Sequence, residues 1–569
     1  MRWLFLLLFA PLWMPWRAIR WLRFHFGARP VLRIALSGSL PDVPLKRGVL
    51  GWVRRSAGDP HLLGLLTALD EAGRDAKLET IVVRIGDLEC GLGRAEEVRA
   101  ALARVKAAGK RVVVHADQLG LAGYWVALGA SKVWLSPQGS LDVCGVAMEF
   151  TLLKGLLDRV GVRAQLAARG RYKSMREMFS AEAISDANRE MLESLVKDLH
   201  GQLVARVAEA RSLSEEAVKQ ELDQGPFRAE EARERGLIDA TRYWDELEEE
   251  LDAKAARAHH LDGYQKWLRR RSFWPRRGVR VALLRISGNI RSGHDRPGPS
   301  GTRSTGDRSL AHAIHSAVES RRVRALLLRV DSPGGSALAS DLMWRELTLA
   351  AQKKPVFVSM VNVAASGGYY ASGLKGVPVW ANPTTLTGSI GVVGGKFEIS
   401  KLLENLGVGR ATVASGPRAN YHSISTPWDE SELAKLERDI DASYESFVRK
   451  MADARGMSFE ALHEVAQGRV WTGRQAQGVA LVDHLGGFHE VRGAIAERLG
   501  LARDRELQWL SPSGRSRLGA RPENELESLL AAGSPLSELP ELAEILERAL
   551  DLGGERLFCL SPVQPRIRT

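Results

Sequence analysis

Short apolar runs rich in β-branched residues recur along the chain and alternate with amphipathic stretches. The runs VLRIALSG (residues 31–38) and VRVALLRISG (279–288) both end at a Ser-Gly pair, which is typical of a strand followed by a turn. Residues 95–107 and 340–351 have the pattern of helices that bury one face. This alternation predicts an α/β fold built of βα units, with parallel sheets that are buried on both faces.

The same order of elements occurs twice, which indicates an internal repeat. Corresponding segments are TIVVRI (80–85) and ALLLRV (325–330), RVVVHAD (111–117) and PVFVSMV (355–361), and the triplets GYW (123–125) and GYY (368–370). Arg84 and Arg329 are separated by the same offset as the two triplets. We therefore predict a first repeat over residues 29–254, a basic linker over 255–278, a second repeat over 279–500 and a C-terminal tail over 501–569.

The N-terminus is the segment that points to a membrane. Residues 3–16 read WLFLLLFAPLWMPW, an apolar run that contains two prolines and is shorter than the roughly 20 residues of a spanning helix. In the residues that follow, arginines alternate with apolar side chains, as in an interfacial amphipathic helix. Residues 1–28 are thus predicted to be a membrane anchor or amphipathic segment that places the protein at the cell membrane, on a side that the sequence leaves open. A cleaved signal peptide is the alternative, although no small-x-small cleavage site follows the apolar run before Arg17.

Composition excludes several classes of protein. With 45% hydrophobic and 26% charged residues, the chain is neither disordered throughout nor a polytopic membrane protein. The net charge of +12 comes mainly from arginines spread along the chain, which suits an anionic membrane surface at least as well as nucleic acid. No nucleic-acid-binding signature is present, so no nucleic-acid partner is expected. The three cysteines lie far apart, which indicates neither a disulfide framework nor a cysteine-rich metal site.

Candidate chemistry is concentrated in glycine-rich turns of the second repeat. Each turn directly follows a predicted strand: DSPGGS (331–336), AASGGYYAS (364–372) and NPTTLTGSIGVVGG (382–395). At a strand-to-helix turn, Ser366 would project its hydroxyl into a cleft. The backbone N–H groups of Gly334, Gly335 and Gly367 are candidates for an oxyanion hole, which stabilises the negative oxygen of an acyl-transfer transition state. On the residues alone, plain tight turns remain the alternative.

These three motifs, in this order and spacing, resemble the signal peptide peptidase A family in its long form of two tandem repeats. The similarity extends from about residue 30 to residue 500. The resemblance implies the Clp-protease/crotonase type of fold, with tandem repeats of ββα units. It also implies a serine-type endopeptidase that works without ATP, metal or another cofactor.

The resemblance also implies roles for three residues. Ser366, in the A-S-G-G-Y motif, corresponds to the nucleophile, and Lys173, in the GRYKS sequence at 170–174, corresponds to the general base. Ser389, in the T-G-S-I-G motif, is similar to the serine that holds the lysine amine. A lysine base must be neutral, so burial or neighbouring cations must lower its pKa. Without the resemblance, Lys173 would be interpreted as a solvated surface lysine.

The repeat is consistent with this assignment. Superposing the two halves places Leu121 opposite Ser366 and Ala419 roughly opposite Lys173, and residues 87–90 read DLEC where the second repeat has its Ser-Pro-Gly-Gly turn. One half therefore retains the serine and the other retains the lysine. We expect a competent site to need both repeats.

The implied function is the degradation of remnant signal peptides and other short apolar peptides at the membrane, by a ring-like homotetramer. Apolar residues near the motifs, Leu338, Val363 and Val392, suggest a pocket for small or aliphatic side chains. Two alternatives stay open. One is a catalytically silent membrane-surface scaffold of the same fold, and the other is a crotonase-like acyl-CoA enzyme, for which no CoA signature is found.

Overall fold

The structure is a computed structural model that describes residues 30–43, 61–251, 259–268, 278–297, 303–502, 507–512 and 557–560. The predicted membrane segment, residues 1–28, lies outside the described residues, as do most of the predicted tail and part of the predicted linker. Within these ranges, every helix is too short or too polar to cross a lipid bilayer.

Short strands and long strands both occur in the described residues. In chain order they are β1 (Val31–Gly38), β2 (Thr80–Leu88), β3 (Arg111–Gly120), β4 (Lys132–Asp142), β5 (Arg163–Arg169), β6 (Phe227–Arg228), β7 (Ala240–Thr241), β8 (His259–His260), β9 (Val279–Ser287), β10 (Ile290–Arg291), β11 (Arg296–Pro297), β12 (Arg303–Gly306), β13 (Val323–Ser332), β14 (Gly334–Ser336), β15 (Val356–Ala365), β16 (Val379–Ala381), β17 (Leu386–Gly388), β18 (Val392–Glu398), β19 (Val470–Thr472), β20 (His484–Leu485), β21 (Leu507–Leu510) and β22 (Leu557–Leu560).

Helices connect most of the longer strands. They are α1 (Leu62–Arg74), α2 (Leu92–Ala107), α3 (Leu121–Ala127), α4 (Lys154–Val160), α5 (Met175–Ser180), α6 (Asp186–Arg211), α7 (Glu215–Leu222), α8 (Ala229–Glu234), α9 (Trp244–Leu251), α10 (Leu261–Leu268), α11 (Asp307–Glu319), α12 (Ala337–Ala351), α13 (Gly367–Ser372), α14 (Ser400–Asn405), α15 (Glu430–Arg455), α16 (Phe459–Val465), α17 (Gly473–Gly478) and α18 (Phe488–Arg498).

The chain divides into two compact units. The first consists of the described residues up to Ala147 and of those from His200 to Gly278. The second consists of residues 148–199 and of the described residues from Val279 to β22. This division cuts the predicted first repeat in two, because residues 148–199, which include Lys173, belong to the second unit. The repeat boundaries themselves stay a prediction about the sequence pattern.

The first unit is built around a largely parallel sheet. Its strand order is β6-β4-β3-β2-β1-β8, and β7 pairs with β4. Val82, Val113 and Trp134 of three neighbouring strands pack against Leu247 of α9. The apolar runs are buried because helices cover them, as the pattern predicts for parallel strands.

The larger sheet of the second unit has the order β19-β17-β15-β13-β9-β21, with β16 paired to β15. Its central strands β9, β13 and β15 are parallel. Helix α12 buries Ala339, Met343 and Leu347, one residue in every four, in the same core as these strands. The predicted α/β fold with parallel sheets is confirmed.

A second sheet of this unit brings distant segments together. Its strand order is β11-β12-β10-β14-β22-β18-β5. Strand β5 runs antiparallel to β18, from Arg163 opposite Glu398 to Arg169 opposite Val392. Because β5 ends just before residues 170–174, this pairing places the segment of Lys173 beside the glycine-rich segment that precedes β18.

Asp483 links the end of helix α15 to the start of strand β16 in the second unit. Its carboxylate accepts hydrogen bonds from Arg455 Nη1 (2.8 Å) and Nη2 (2.7 Å), and from the backbone N–H of Val379 (2.7 Å). Burial opposes ionisation of this carboxyl group, but these donors outweigh the burial and lower the pKa of Asp483 below its ordinary value of 3.8. The ionised form therefore stabilises the fold above that ordinary pKa, and the stabilisation is lost as the pH falls through the lower, folded-state pKa.

We expect Asp483→Asn to lower the melting temperature near neutral pH, because it leaves Arg455 with a weaker partner, at a cost of about 2 kcal/mol. The difference from the unmodified protein should shrink below about pH 4. Thermal unfolding followed by circular dichroism, from neutral pH to below about pH 4, measures this difference in melting temperature. Asp453→Asn is the control, since its ion pair with Lys375 is largely exposed and should contribute almost nothing. An equal difference at both ends of the pH range would contradict the expectation.

Candidate active site

Ser366 occupies a sharp turn between β15 and α13. Its φ of 55° and ψ of −113° are unusual for a residue with a side chain, and its backbone N–H donates to Gly388 O (2.7 Å). The turn packs so closely on Ser332 that only glycine fits at position 368, because a Cβ there would lie 2.8 Å from Ser332 O. Ser366 is fully buried in the described structure. The AASGG sequence thus holds a serine at the end of a parallel strand, in a backbone conformation that costs free energy.

Lys173 reaches Ser366 from a segment 193 residues earlier in the chain. Its side chain is buried, and its Nζ donates to Ser366 Oγ (2.8 Å), to Ser389 Oγ (3.2 Å) and to Ser389 O (3.2 Å). Gly170 permits the bend that precedes it, because φ is +112° and a Cβ would lie 2.5 Å from the carbonyl carbon of Gln467. The structure therefore brings the three predicted residues Ser366, Lys173 and Ser389 into one hydrogen-bonded group.

Ser389 follows β17 and is also held in a left-handed conformation, with φ of 51°. Its backbone N–H donates to Arg469 O (2.7 Å), and its side chain is fully buried. Thr387, two residues earlier, donates through Oγ1 to Ala364 O (2.8 Å) and so ties β17 to the strand that carries Ser366. The position of Ser389 next to the amine is thus fixed by a main-chain bond at its own N–H and by the side-chain bond of Thr387.

The predicted oxyanion turn lies beside Ser366. Ser332 Oγ donates to Gly288 O (2.6 Å) and accepts from the N–H of Gly334 (3.1 Å). Gly335 has φ of +153°, and a Cβ there would lie 1.9 Å from Ile290 O. In this arrangement the N–H of Gly334 is engaged by Ser332, so an oxyanion role for Gly334 requires that bond to be exchanged for one to the substrate.

An extended segment of the chain itself lies next to the glycine turn. Strand β22 runs antiparallel to β14, with Leu560 opposite Gly334 and Cys559 opposite Gly335. On its other side it runs antiparallel to β18, with Phe558 opposite Val393. The gap between β14 and β18, which we call the groove, therefore accepts a polypeptide main chain as an added strand.

The residues expected to line a specificity pocket are placed differently from one another. Val363 and Val392 are buried, whereas Leu338, in the first turn of α12, is 61% exposed. Leu342, one turn further along α12, is 43% exposed, and α12 contacts β22. Leu338 and Leu342 thus present apolar side chains to solvent on the helix beside the groove, and Leu342 is a residue that the sequence did not indicate.

The positions that the repeat places opposite Ser366 and Lys173 carry neither a nucleophile nor a base. Leu121 begins α3 directly after β3, as Ser366 precedes α13 after β15, and it packs in the core. Ala419 lies exposed in the segment between α14 and α15. Among the residues that the structure describes, no group of three or more His, Cys, Asp or Glu side chains is arranged to hold a metal ion.

A buried serine on a strained strand-to-helix turn, with a lysine amine at hydrogen-bond distance, is the arrangement of a serine hydrolase. Comparison with known proteins agrees: residues 104–257 and 348–502 match Peptidase family S49, and the chain belongs to this family. The predicted resemblance to two-repeat signal peptide peptidases is confirmed, and the chain is a serine-type endopeptidase.

Relatives are similar over most of their lengths. The chloroplastic serine protease SPPA of Arabidopsis thaliana is 31% identical over 477 residues, which cover 81% of this chain and 68% of that protein. Protease 4 of Salmonella typhi is 31% identical, with 83% and 78% covered. Protease 4 of Haemophilus influenzae is 26% identical, with 87% and 84% covered. A solved ClpP1 mutant from Listeria monocytogenes matches 37% of this chain and 92% of its own, at 15% identity and a TM-score of 0.24.

Proposed function

We propose that this endopeptidase cleaves peptides with a Ser366–Lys173 dyad, and that its substrates are remnant signal peptides and other short apolar peptides. The observation that carries the dyad is the 2.8 Å hydrogen bond between Lys173 Nζ and Ser366 Oγ, with both side chains buried. Proton transfer between a base and a nucleophile needs this separation before any other condition.

Catalysis then proceeds in two steps. Ser366 Oγ attacks the scissile carbonyl carbon while the neutral Lys173 amine takes the hydroxyl proton, and the C–N bond breaks as Lys173 passes that proton to the leaving amine. A water molecule, activated by the same amine, then hydrolyses the acyl-enzyme and releases Ser366. Ser389 Oγ keeps the amine aimed at Ser366 throughout, because it lies 3.2 Å from Nζ.

The negative oxygen of each tetrahedral intermediate needs backbone donors. Gly367 follows the nucleophile directly, and Gly334 and Gly335 lie on the adjacent turn, so their N–H groups are the proposed oxyanion hole. The engaged N–H of Gly334 would change partner from Ser332 Oγ to the substrate oxygen as the intermediate forms.

A peptide substrate would bind in the groove as an added antiparallel strand. Support for this mode comes from β22, which pairs with β14 and β18 in that way. Main-chain pairing is indifferent to side chains, so preference must come from side-chain contacts. The exposed side chains of Leu338 and Leu342 favour apolar residues in the substrate.

Action at the cell membrane through residues 1–28, and assembly as a homotetramer, remain predictions from the sequence.

Labelling with a serine-reactive fluorophosphonate tests this proposal, together with cleavage of a fluorogenic peptide that carries the apolar core sequence of a signal peptide. We expect one label per chain, located by mass spectrometry at Ser366, and parallel loss of peptidase activity as the label is incorporated. The buried Ser389 and Ser174 serve as internal controls and should stay unlabelled. Neither labelling nor cleavage over a range of peptides and pH would instead support the catalytically silent scaffold.

A further inference from the structure

Three consecutive residues between α16 and β19 contact the main chain beside Lys173 and also Ser389, the serine that holds its amine. We call residues 467–469 the clamp turn. Gln467 O accepts from the N–H of Tyr172 (2.8 Å), and Gly468 N donates to Ile390 O (2.7 Å). Arg469 O accepts from the N–H of Ser389 (2.7 Å). The neighbour of Lys173 and the serine that holds its amine are therefore bonded to the same short segment.

The backbone of Gly468 lies directly against that of Lys173. Its φ is +79°, and a Cβ at this position would lie 2.6 Å from Lys173 N and 2.8 Å from Lys173 Cα. On the other side, a Cβ at Gly391 would lie 3.0 Å from Lys173 Cδ and 3.1 Å from Gly468 Cα. Gly468 thus lies against the backbone of Lys173, and Gly391 lies against the aliphatic part of its side chain. There is no room for a methyl group at Gly468.

The clamp turn shares its backbone strain with the two serines of the site, Ser366 and Ser389. Gln467 has φ of 49°, in the left-handed region that residues with side chains rarely adopt. Five described residues other than glycine have a positive φ, and three of them are Ser366, Ser389 and Gln467. Such conformations persist only where the surroundings over-determine them. The strain therefore indicates that the turn is held in one conformation by its contacts.

Side chains reinforce the main-chain bonds. The Arg469 guanidinium lies 4.8 Å from the centre of the Tyr172 ring and donates through Nη1 to Glu190 Oε1 (2.7 Å). Tyr172 Oη also donates to Glu190 (3.2 Å). The residue before Lys173 is thus fixed through both its backbone and its ring.

We propose that the clamp turn positions the dyad, and that Gly468 is the positioning residue that sets where the Lys173 amine lies. This inference rests on the proposed function. Lysine has a long flexible side chain, so its amine keeps one position only if the main chain at its base is fixed. The clamp turn supplies that fixed base and ties it to Ser389, which receives the other end of the side chain.

Gly468→Ala tests the inference. The methyl group would displace the main chain of Lys173, and a displacement of about 1 Å at a reacting group costs about 100-fold in rate. We expect kcat and the rate of fluorophosphonate labelling to fall by about that factor, with KM little changed because the groove is not touched. The pH at which the labelling rate reaches half its maximum should also move, because the amine leaves its present surroundings.

Gly456→Ala is the matched control. Gly456 also has a positive φ, of +65°, at the end of α15, but a Cβ there would meet nothing within 4 Å. It reproduces the backbone strain without the collision and should retain the labelling rate and pH profile of the unmodified protein. If Gly468→Ala behaves like Gly456→Ala, the inference about the clamp turn is wrong. Labelling of Ser366 in the unmodified protein would still support the proposed dyad. An unlabelled unmodified protein would overturn the proposed function instead.

A second variant decides the matter where Gly468→Ala does not fold. Glu190 is about half exposed, so Glu190→Ala should fold normally, yet it frees Arg469 and Tyr172 Oη from their shared partner. We expect a lower labelling rate and a shifted pH profile at an unchanged melting temperature. A labelling rate and pH profile equal to those of the unmodified protein would overturn the inference.

Discussion

Lys173→Met should lower kcat/KM for a peptide by at least about 1,000-fold, because general base catalysis contributes about 100- to 10,000-fold and, in the proposed mechanism, the amine is also the acid for the leaving group. Methionine has a similar length and suits a site in which Lys173 is only 3% exposed, so the fold should be retained. The Ser366 hydroxyl remains in place but loses its proton acceptor. Steady-state cleavage and the rate of fluorophosphonate labelling measure the effect.

Lys354→Met is a control for the loss of a partly buried lysine elsewhere in the second unit. Lys354 Nζ donates to Ala317 O and Ser320 O, both at 2.8 Å, and has no link to the dyad through these bonds. Its activity should match that of the unmodified protein. Because the proposed dyad would act as one unit, Lys173→Met combined with Ser366→Ala should be no less active than Ser366→Ala alone. Full activity of Lys173→Met would rule out the assigned base.

Gly335→Ala should lower kcat by about 100- to 1,000-fold, the usual effect of losing an oxyanion donor. A Cβ at Gly335 would lie 1.9 Å from Ile290 O, and φ of +153° is closed to alanine, so the turn must move. Moving it displaces the N–H groups of the proposed oxyanion hole and disturbs the pairing of β14. Peptide affinity should fall as well, measured as binding of an uncleaved peptide in a Ser366→Ala background.

The control for this variant is Gly376→Ala. Gly376 has φ of +69° in the same unit, and a Cβ there would meet nothing within 4 Å. It should show the cost of a strained alanine alone, as a small decrease in melting temperature at unchanged kcat. If Gly335→Ala cleaves peptides as fast as Gly376→Ala, the turn at 334–336 is not the oxyanion hole.

The parallel strands could be predicted because their signal is local. The run beginning at Val279 forms β9, and residues 340–351 lie within α12, since apolar periodicity and a following turn suffice to define such elements. Strand β5 gives no comparable signal, because most of its residues are only partly buried and its residues do not alternate between apolar and polar. Its pairing with β18, more than 200 residues away, is therefore a tertiary effect, and it explains why residues 148–199 belong to the second unit.

The site could be predicted as far as its side chains form motifs. Ser366, Lys173 and Ser389 stand in recognisable motifs, and the structure adds the hydrogen bonds that link them. The clamp turn could not be predicted because its hydrogen bonds to Tyr172, Ser389 and Ile390 come from the main chain, and a main-chain bond leaves no motif in the sequence. Strand β22 could not be predicted because four apolar residues in a polar tail are too few to indicate a strand. The sequence LFCL at 557–560 was the signal that it left.

Strand β22 gives the groove a ligand that is part of the same molecule. A tethered ligand has an effective concentration set by its connection, and diluting the protein does not reduce it. In the proposed mode of binding, an incoming peptide would bind only the fraction of molecules in which β22 has left the groove, and its apparent dissociation constant would rise in inverse proportion to that fraction. A peptide that binds in this mode would therefore have to displace β22 by forming its own strand pairs with β14 and β18.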